Sequence, residues 1–267
     1  MKLFDVHTHI QDERLENQQD AVIARAIDAG VDKIMVCGLH EHDWTTVSAM
    51  AQAYRSVVPA LGIHPWFIEN RGPKWVETLS DMLEKSGAAV GEIGLDRMVP
   101  LRNDADQETV FIKQMGIARD LGKPVNLHCR SAWGRMREII KSMGGLTHGG
   151  VIHSWSGSAE MVREFETLGA YISFSGSVTR PDNKKVGKAV QAVSRDRLVL
   201  ETDSPDIIPT GVDAPLNEPA YVRVVLARVA LLRGETMEAV ASYTYDNALR
   251  LFSPCRNVAN QNNRELS

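Results

Sequence analysis

Short β-rich runs alternate with longer amphipathic stretches along nearly the whole chain, and this alternation restricts the fold more than any other feature. The runs are residues 3–6, 33–36, 57–63, 88–95, 124–128, 150–153, 170–173 and 198–202. Helical patterns lie at 19–29, 44–55, 73–85, 106–121, 136–143, 159–168, 183–193, 218–232 and 237–251, with apolar positions recurring at the period of a half-buried helix. A strand that returns through a helix runs parallel to its predecessor, because a hairpin turn is too short to hold the crossover. Eight such units in about 250 residues predict a parallel (β/α)8 TIM barrel, with an open doubly wound sheet as the rival. Nothing resembles a linker before the polar stretch 257–267, so one barrel domain is expected over 1–256 with a frayed tail behind it.

The 267 residues are 43% hydrophobic and 24% charged, enough to bury a full core. A net charge of -4 excludes the global basic field that coats nucleic acid, so any phosphate binding has to be local. There is no membrane-spanning run, and Met1-Lys2 leads straight into a strand without an apolar leader, which predicts a cytoplasmic protein. Cys37, Cys129 and Cys255 are odd in number and lack C-x-x-C spacing, so they read as small buried hydrophobes.

The first run ends in His7-Thr8-His9. Side chains in a strand alternate faces, so Asp5, His7 and His9 point the same way and can converge on one cation. Imidazole pairs suit zinc, manganese, iron or nickel. Alone, the pair fits a core strand and turn equally well; its weight comes from where the other donors fall. His64 ends the third run, Glu92 lies in the fourth, His128 ends the fifth, His153 ends the sixth and Asp203 follows the eighth. In a barrel these carboxyl ends form a single rim, where active sites of this architecture are assembled. His40, His42 and His148 fall outside the set, and His40-Glu41-His42 reads as a solvated loop, with substrate gating as the alternative. Arg130 offers either a fork for phosphate or a surface salt bridge. Trp66 and Trp155 follow rim histidines and could stack on bases or pack the barrel mouth. Glu201 and Asp96 could orient ligands or anchor neighbouring loops.

In order along the chain stand Asp5-Val6-His7-Thr8-His9, Gly62-Ile63-His64-Pro65, Gly91-Glu92-Ile93-Gly94-Leu95-Asp96, Leu127-His128-Cys129-Arg130, Val151-Ile152-His153-Ser154-Trp155-Ser156-Gly157 and Glu201-Thr202-Asp203-Ser204-Pro205. With these segments in register, the chain resembles the TatD-related metal-dependent deoxyribonucleases, within the wider amidohydrolase-like barrels. Asn217-Glu218-Pro219 and Asp246-Asn247-Ala248 resemble later segments of that family. The resemblance implies two divalent cations, zinc, manganese or magnesium. His7, His9 and Asp203 would hold one, His128 and His153 the other, and Glu92 would bridge them. Two cations about 3.5–4 Å apart can clamp a phosphoryl group and acidify a bound water. Asp203 would orient or deprotonate that water, or only ligate. His64, Arg130 and Trp155 would touch substrate. The implied substrate is nucleic acid, DNA favoured, cleaved as by a 3'-5' exonuclease. The chain departs from the family at Arg97, where an aromatic residue commonly follows Gly-Leu-Asp, with Arg102 nearby. A small-molecule amidohydrolase or lactonase would use the same barrel, but many of those bridge their metals with a modified lysine on the fourth strand, where Glu92 stands here. A non-catalytic metal-binding protein is the third reading.

Overall fold

The computed structural model describes residues 1–100, 102–253 and 255; the tail expected over 257–267 lies outside them. The strands are β1 (Leu3–Thr8), β2 (Val31–Cys37), β3 (Val57–Leu61), β4 (Ala89–Asp96), β5 (Val125–Arg130), β6 (Gly150–Ile152), β7 (Ala170–Phe174) and β8 (Leu198–Leu200). They follow chain order in a closed barrel, as the alternation predicts. The parallel pairing of β1 with β8, at Asp5 and Leu200, excludes the open-sheet rival. The helices are α1 (Gln19–Asp28), α2 (Trp44–Ala53), α3 (Trp75–Lys85), α4 (Asp104–Asp120), α5 (Trp133–Ser142), α6 (Ala159–Thr167), α7 (Lys184–Ala192), α8 (Val222–Arg233) and α9 (Met237–Leu251). Among the described residues no helix is long and apolar enough to cross a membrane.

The chain divides into two compact units, residues 1–35 with 151–250, and residues 36–150 with the segment from 251. In the first, β8 pairs with both β1 and β7. Every residue of β1 is buried. Helix α8 buries Val222, Val225, Leu226 and Val229, the three-to-four spacing of a core-facing stripe, and each such side chain stabilises the fold by about 1.5–3 kcal/mol. The helix stops at Gly234, whose φ of 64° is the left-handed cap that glycine adopts without a Cβ clash.

In the second unit β4 pairs with β3 and β5. Gly94 lies opposite His128 in the β4–β5 register. A Cβ at Gly94 would stand 1.9 Å from the His128 carbonyl oxygen, so a side chain there would force the strands apart beside the rim. Helix α4 turns Val110, Phe111, Met115 and Ala118 inward. On the same helix Gln107 and Gln114, one heptad apart, are buried and bond strand-end backbone. Gln114 accepts from the Ile63 N–H at 2.7 Å and donates to its carbonyl at 3.1 Å. Gln107 does the same for Asp96 at 2.8 and 2.9 Å.

Strands β6 and β8 end earlier than the hydrophobic runs suggest. Ser154 (φ 43°) and Asp203 (φ 62°) take left-handed backbone just beyond them, and Ser131 (φ 56°) does so after β5. All three cysteines are buried and free, and burial pushes the Cys129 and Cys255 thiols up to about 12.

Candidate metal centre

The first donor cluster is built on the ends of β1, β6 and β8. Alternation along β1 sends Thr8 away from the histidines, and its hydroxyl donates to the Met35 carbonyl at 2.7 Å. His7 and His9 face each other with their Nε2 atoms 3.0 Å apart. The His153 ring stacks on His7 at 3.9 Å between centroids, and Asp203 Oδ1 lies 3.7 Å from His7 Nε2. Ligand-capable atoms of His7, His153 and Asp203 lie within 4.8 Å of one another. Nitrogens about 2.0–2.1 Å from a shared cation, at right or tetrahedral angles, stand about 2.8–3.4 Å apart, so the His7–His9 separation fits a cation's donor set.

Asp203 reaches this cluster because its backbone turns sharply. Its N–H donates to the His7 carbonyl at 3.1 Å, and aspartate is among the few residues that tolerate its left-handed φ. Buried Asn217 clamps the following loop. Its side-chain amide reaches the carbonyls of Thr202, Asp206 and Ile207 at 2.8, 2.7 and 3.2 Å, and its backbone N–H that of Pro205 at 3.0 Å. Asp5, read from the sequence as able to join the histidines, is occupied elsewhere. Its carboxylate accepts from the Thr202 N–H and hydroxyl at 2.9 and 2.5 Å, and burial pushes it well above the usual carboxylate range. Glu201 accepts from the Ser154 N–H at 2.6 Å and lies 3.6 Å from His153 Nδ1, so it holds the turn that presents that histidine.

The second cluster comprises His64, Glu92 and His128, whose ligand-capable atoms also lie within 4.8 Å. Glu92 Oε1 is 2.8 Å from His128 Nδ1 and 3.5 Å from His64 Nε2. Hydrogen bonds on the far side of each ring assign the protons. His128 Nε2 lies 3.1 Å from Asp96 Oδ2; a proton there leaves the Nδ1 lone pair free to ligate beside Glu92. Two acceptors 2.8 Å apart call for a cation or a proton between them. His64 is opposite in sense. Its Nδ1 accepts from the Trp66 backbone N–H at 3.1 Å, so the neutral ring carries its proton on Nε2 and presents a donor. By distance His64 belongs to the ligands; by tautomer it is a hydrogen-bond donor beside them.

Asp96 is the support of this cluster. Burial pushes its carboxyl upward, but His128, the Met98 N–H and the Trp66 indole N–H outweigh burial and hold it at about 2. The signal for this shell was the pair of glutamines at heptad spacing on the apolar face of α4.

Arg130 is exposed at the end of β5, and among the described residues its guanidinium has no partner, which removes the salt-bridge alternative. Trp155, expected to touch substrate, is instead core. It is 1% exposed, packs edge to face on Phe165, and its backbone N–H donates to the Ser173 carbonyl. Trp66 is the exposed one, at 57%. Arg97 and Arg102 both turn to Asp104. His40 is half-buried and lies edge-on to Phe67, whereas His42 is exposed, as expected of a solvated loop.

Residues 4–253 match the TatD related DNase family. The chain is 34% identical to YabD of Bacillus subtilis, named an uncharacterized metal-dependent hydrolase, over 94% of this chain and 98% of that one. It is 30% identical to the Klebsiella pneumoniae protein named 3'-5' ssDNA/RNA exonuclease TatD, over 94% and 97%. The crystal structure of YjjV, a TatD homologue from Escherichia coli, superposes with a TM-score of 0.90 at 31% identity, covering 94% of this chain and 98% of that one. A closed barrel, histidine and carboxylate clusters at its strand ends and this likeness over almost the full length agree: the chain belongs to the TatD-related DNase family of metal-dependent hydrolases.

Proposed function

We propose that this protein is a metal-dependent phosphodiesterase acting on nucleic acid, with single-stranded DNA as the favoured substrate and cleavage proceeding from the 3' end. The observation that carries the reading is the His64 ring, whose Nδ1 accepts from the Trp66 backbone N–H and so sets a buried proton donor beside Glu92 and His128. A phosphoryl oxygen is the acceptor such a donor suits. The naming of the Klebsiella relative as an exonuclease supports the same substrate class. The chain would act as one barrel domain over 1–256, in the cytoplasm.

Each cluster would hold one divalent cation, zinc, manganese or magnesium: His7, His9, His153 and Asp203 the first, His128 and Glu92 the second. This moves His153 to the first cluster, on the strength of its stacking with His7. Bound cations would polarise the phosphoryl group and lower the pKa of water. Asp203, at the edge of its cluster and partly open, would accept the proton of the attacking water. His64 would donate from Nε2 to a phosphoryl oxygen, and Arg130 would grip a neighbouring phosphate with its free fork.

Chelator-stripped protein should leave a 5'-labelled single strand intact and, on reconstitution with manganese, zinc or magnesium, shorten it stepwise from the 3' end. His64→Ala should keep the wild-type metal stoichiometry yet lose about 10–100-fold in kcat/KM, the worth of a hydrogen bond to a charged group. A reconstituted protein that never shortens the strand refutes the nuclease reading. Loss of a cation on His64→Ala would make that residue a ligand instead.

A further inference from the structure

We infer that the groove formed by Trp66 and the segment 98–100 is a base-binding subsite, seating one unpaired nucleobase next to the phosphate being cleaved; this rests on the nuclease reading above. The groove is lined by Pro65, Trp66, Glu69, Met98, Val99, Pro100 and Asn103. Trp66 and Met98 are each 57% exposed, two of the largest apolar side chains the described surface leaves open.

The groove is tied to the second cluster through a single carboxylate. The Trp66 indole N–H donates to Asp96 Oδ2 at 2.7 Å, and the Met98 backbone N–H donates to Asp96 Oδ1 at 2.7 Å. Asp96 Oδ2 also faces His128 Nε2. The Trp66 ring stands edge-on to His64 at 5.1 Å, so the indole is fixed at its N–H edge and at the His64 contact while a broad face stays open. A ring locked in this way is a pre-organised platform.

Charge selects the occupant. Among the described residues no lysine or arginine lines the groove, and the one ionisable wall residue is Glu69, so a backbone phosphate is repelled there. A neutral, flat, polarisable ring is what an indole face and a thioether accept, and base stacking on an aromatic side chain tolerates any base because every base has a π-face. A paired base cannot enter without unstacking, so the groove would favour single strands and frayed ends. Trp66 thus becomes a specificity-determining residue, and the Gly-Leu-Asp-Arg departure at Arg97 loses its significance for base contact, since an aromatic is supplied from the β3 loop instead.

The test compares wild type, Trp66→Leu and Trp66→Phe on two single-stranded oligonucleotides that differ only in whether the 3'-terminal residue carries a base or an abasic tetrahydrofuran. Wild type should show a KM about tenfold lower for the strand with the base. In Trp66→Leu that ratio should fall to near one, and in Trp66→Phe, which keeps a ring but loses the N–H bond to Asp96, it should stay well above one. A ratio near one in wild type, or one unchanged in Trp66→Leu, overturns the subsite while leaving the nuclease reading intact. Failure of wild type to cleave either strand overturns that reading, and the subsite with it.

Discussion

Asp203→Asn should depress kcat on a short single-stranded DNA by about 10²–10⁴-fold at saturating substrate and in excess metal, the range expected for loss of a positioned proton acceptor. Asparagine also tolerates the left-handed φ of 62° found there, and the backbone N–H that bonds the His7 carbonyl is retained. The loop clamped by Asn217 should therefore survive, and thermal unfolding should match wild type. The amide cannot take a proton from water. A drop in kcat that excess metal fully restores would reduce Asp203 to a ligand, and unchanged kcat would remove it from the chemistry.

Glu92→Gln should have a comparably large effect by a different route. Glu92 is 1% exposed, and its Oε1 lies 2.8 Å from His128 Nδ1. The amide keeps the volume and can donate to His128, so the metal-free protein should fold. It removes the only carboxylate of the second cluster itself. Metal affinity should fall by more than the roughly 10–100-fold that accompanies loss of a residue that merely orients a ligand, and turnover should fall with it. Metal analysis at limiting concentration separates the roles: loss of one equivalent means Glu92 serves its own cluster, whereas loss of both means it bridges. Full metal content with normal turnover would exclude Glu92 from the centre.

Much of this was legible in the sequence because the barrel repeats a strong signal. Among the described residues the alternation located the eight strands and the nine α-helices, and missed mainly at ends that carry no chemical mark. Helix α5 begins at Trp133, ahead of the expected 136, and its preceding residue Ala132 offers no side-chain cap. Two-residue strand periodicity placed His7 with His9, whose Nε2 atoms meet while Thr8 turns to the Met35 carbonyl.

Periodicity failed where the chain leaves the strand. His64-Pro65-Trp66 and His153-Ser154-Trp155 look alike as sequence, yet one tryptophan is open and the other is core. The difference is the left-handed turn at Ser154, after which the Trp155 N–H bonds Ser173. The proton-donor role proposed for His64 was also hidden, because it depends on a backbone N–H from Trp66 meeting a particular ring nitrogen. Asp5 shares the parity of His7 and His9 but is captured by Thr202, a partner 197 residues away that local pattern cannot reveal.

The most direct measurement of the central claim is turnover by the metal-reconstituted protein across three substrate classes in parallel: single-stranded oligodeoxynucleotides, an amide panel and a lactone panel. Metal-dependent release of nucleotides from the oligodeoxynucleotide is expected, abolished by chelation and strongly reduced in Asp203→Asn, with no comparable hydrolysis of amides or lactones. Efficient lactone or amide hydrolysis by the same preparation, with the oligonucleotide left whole, would contradict it.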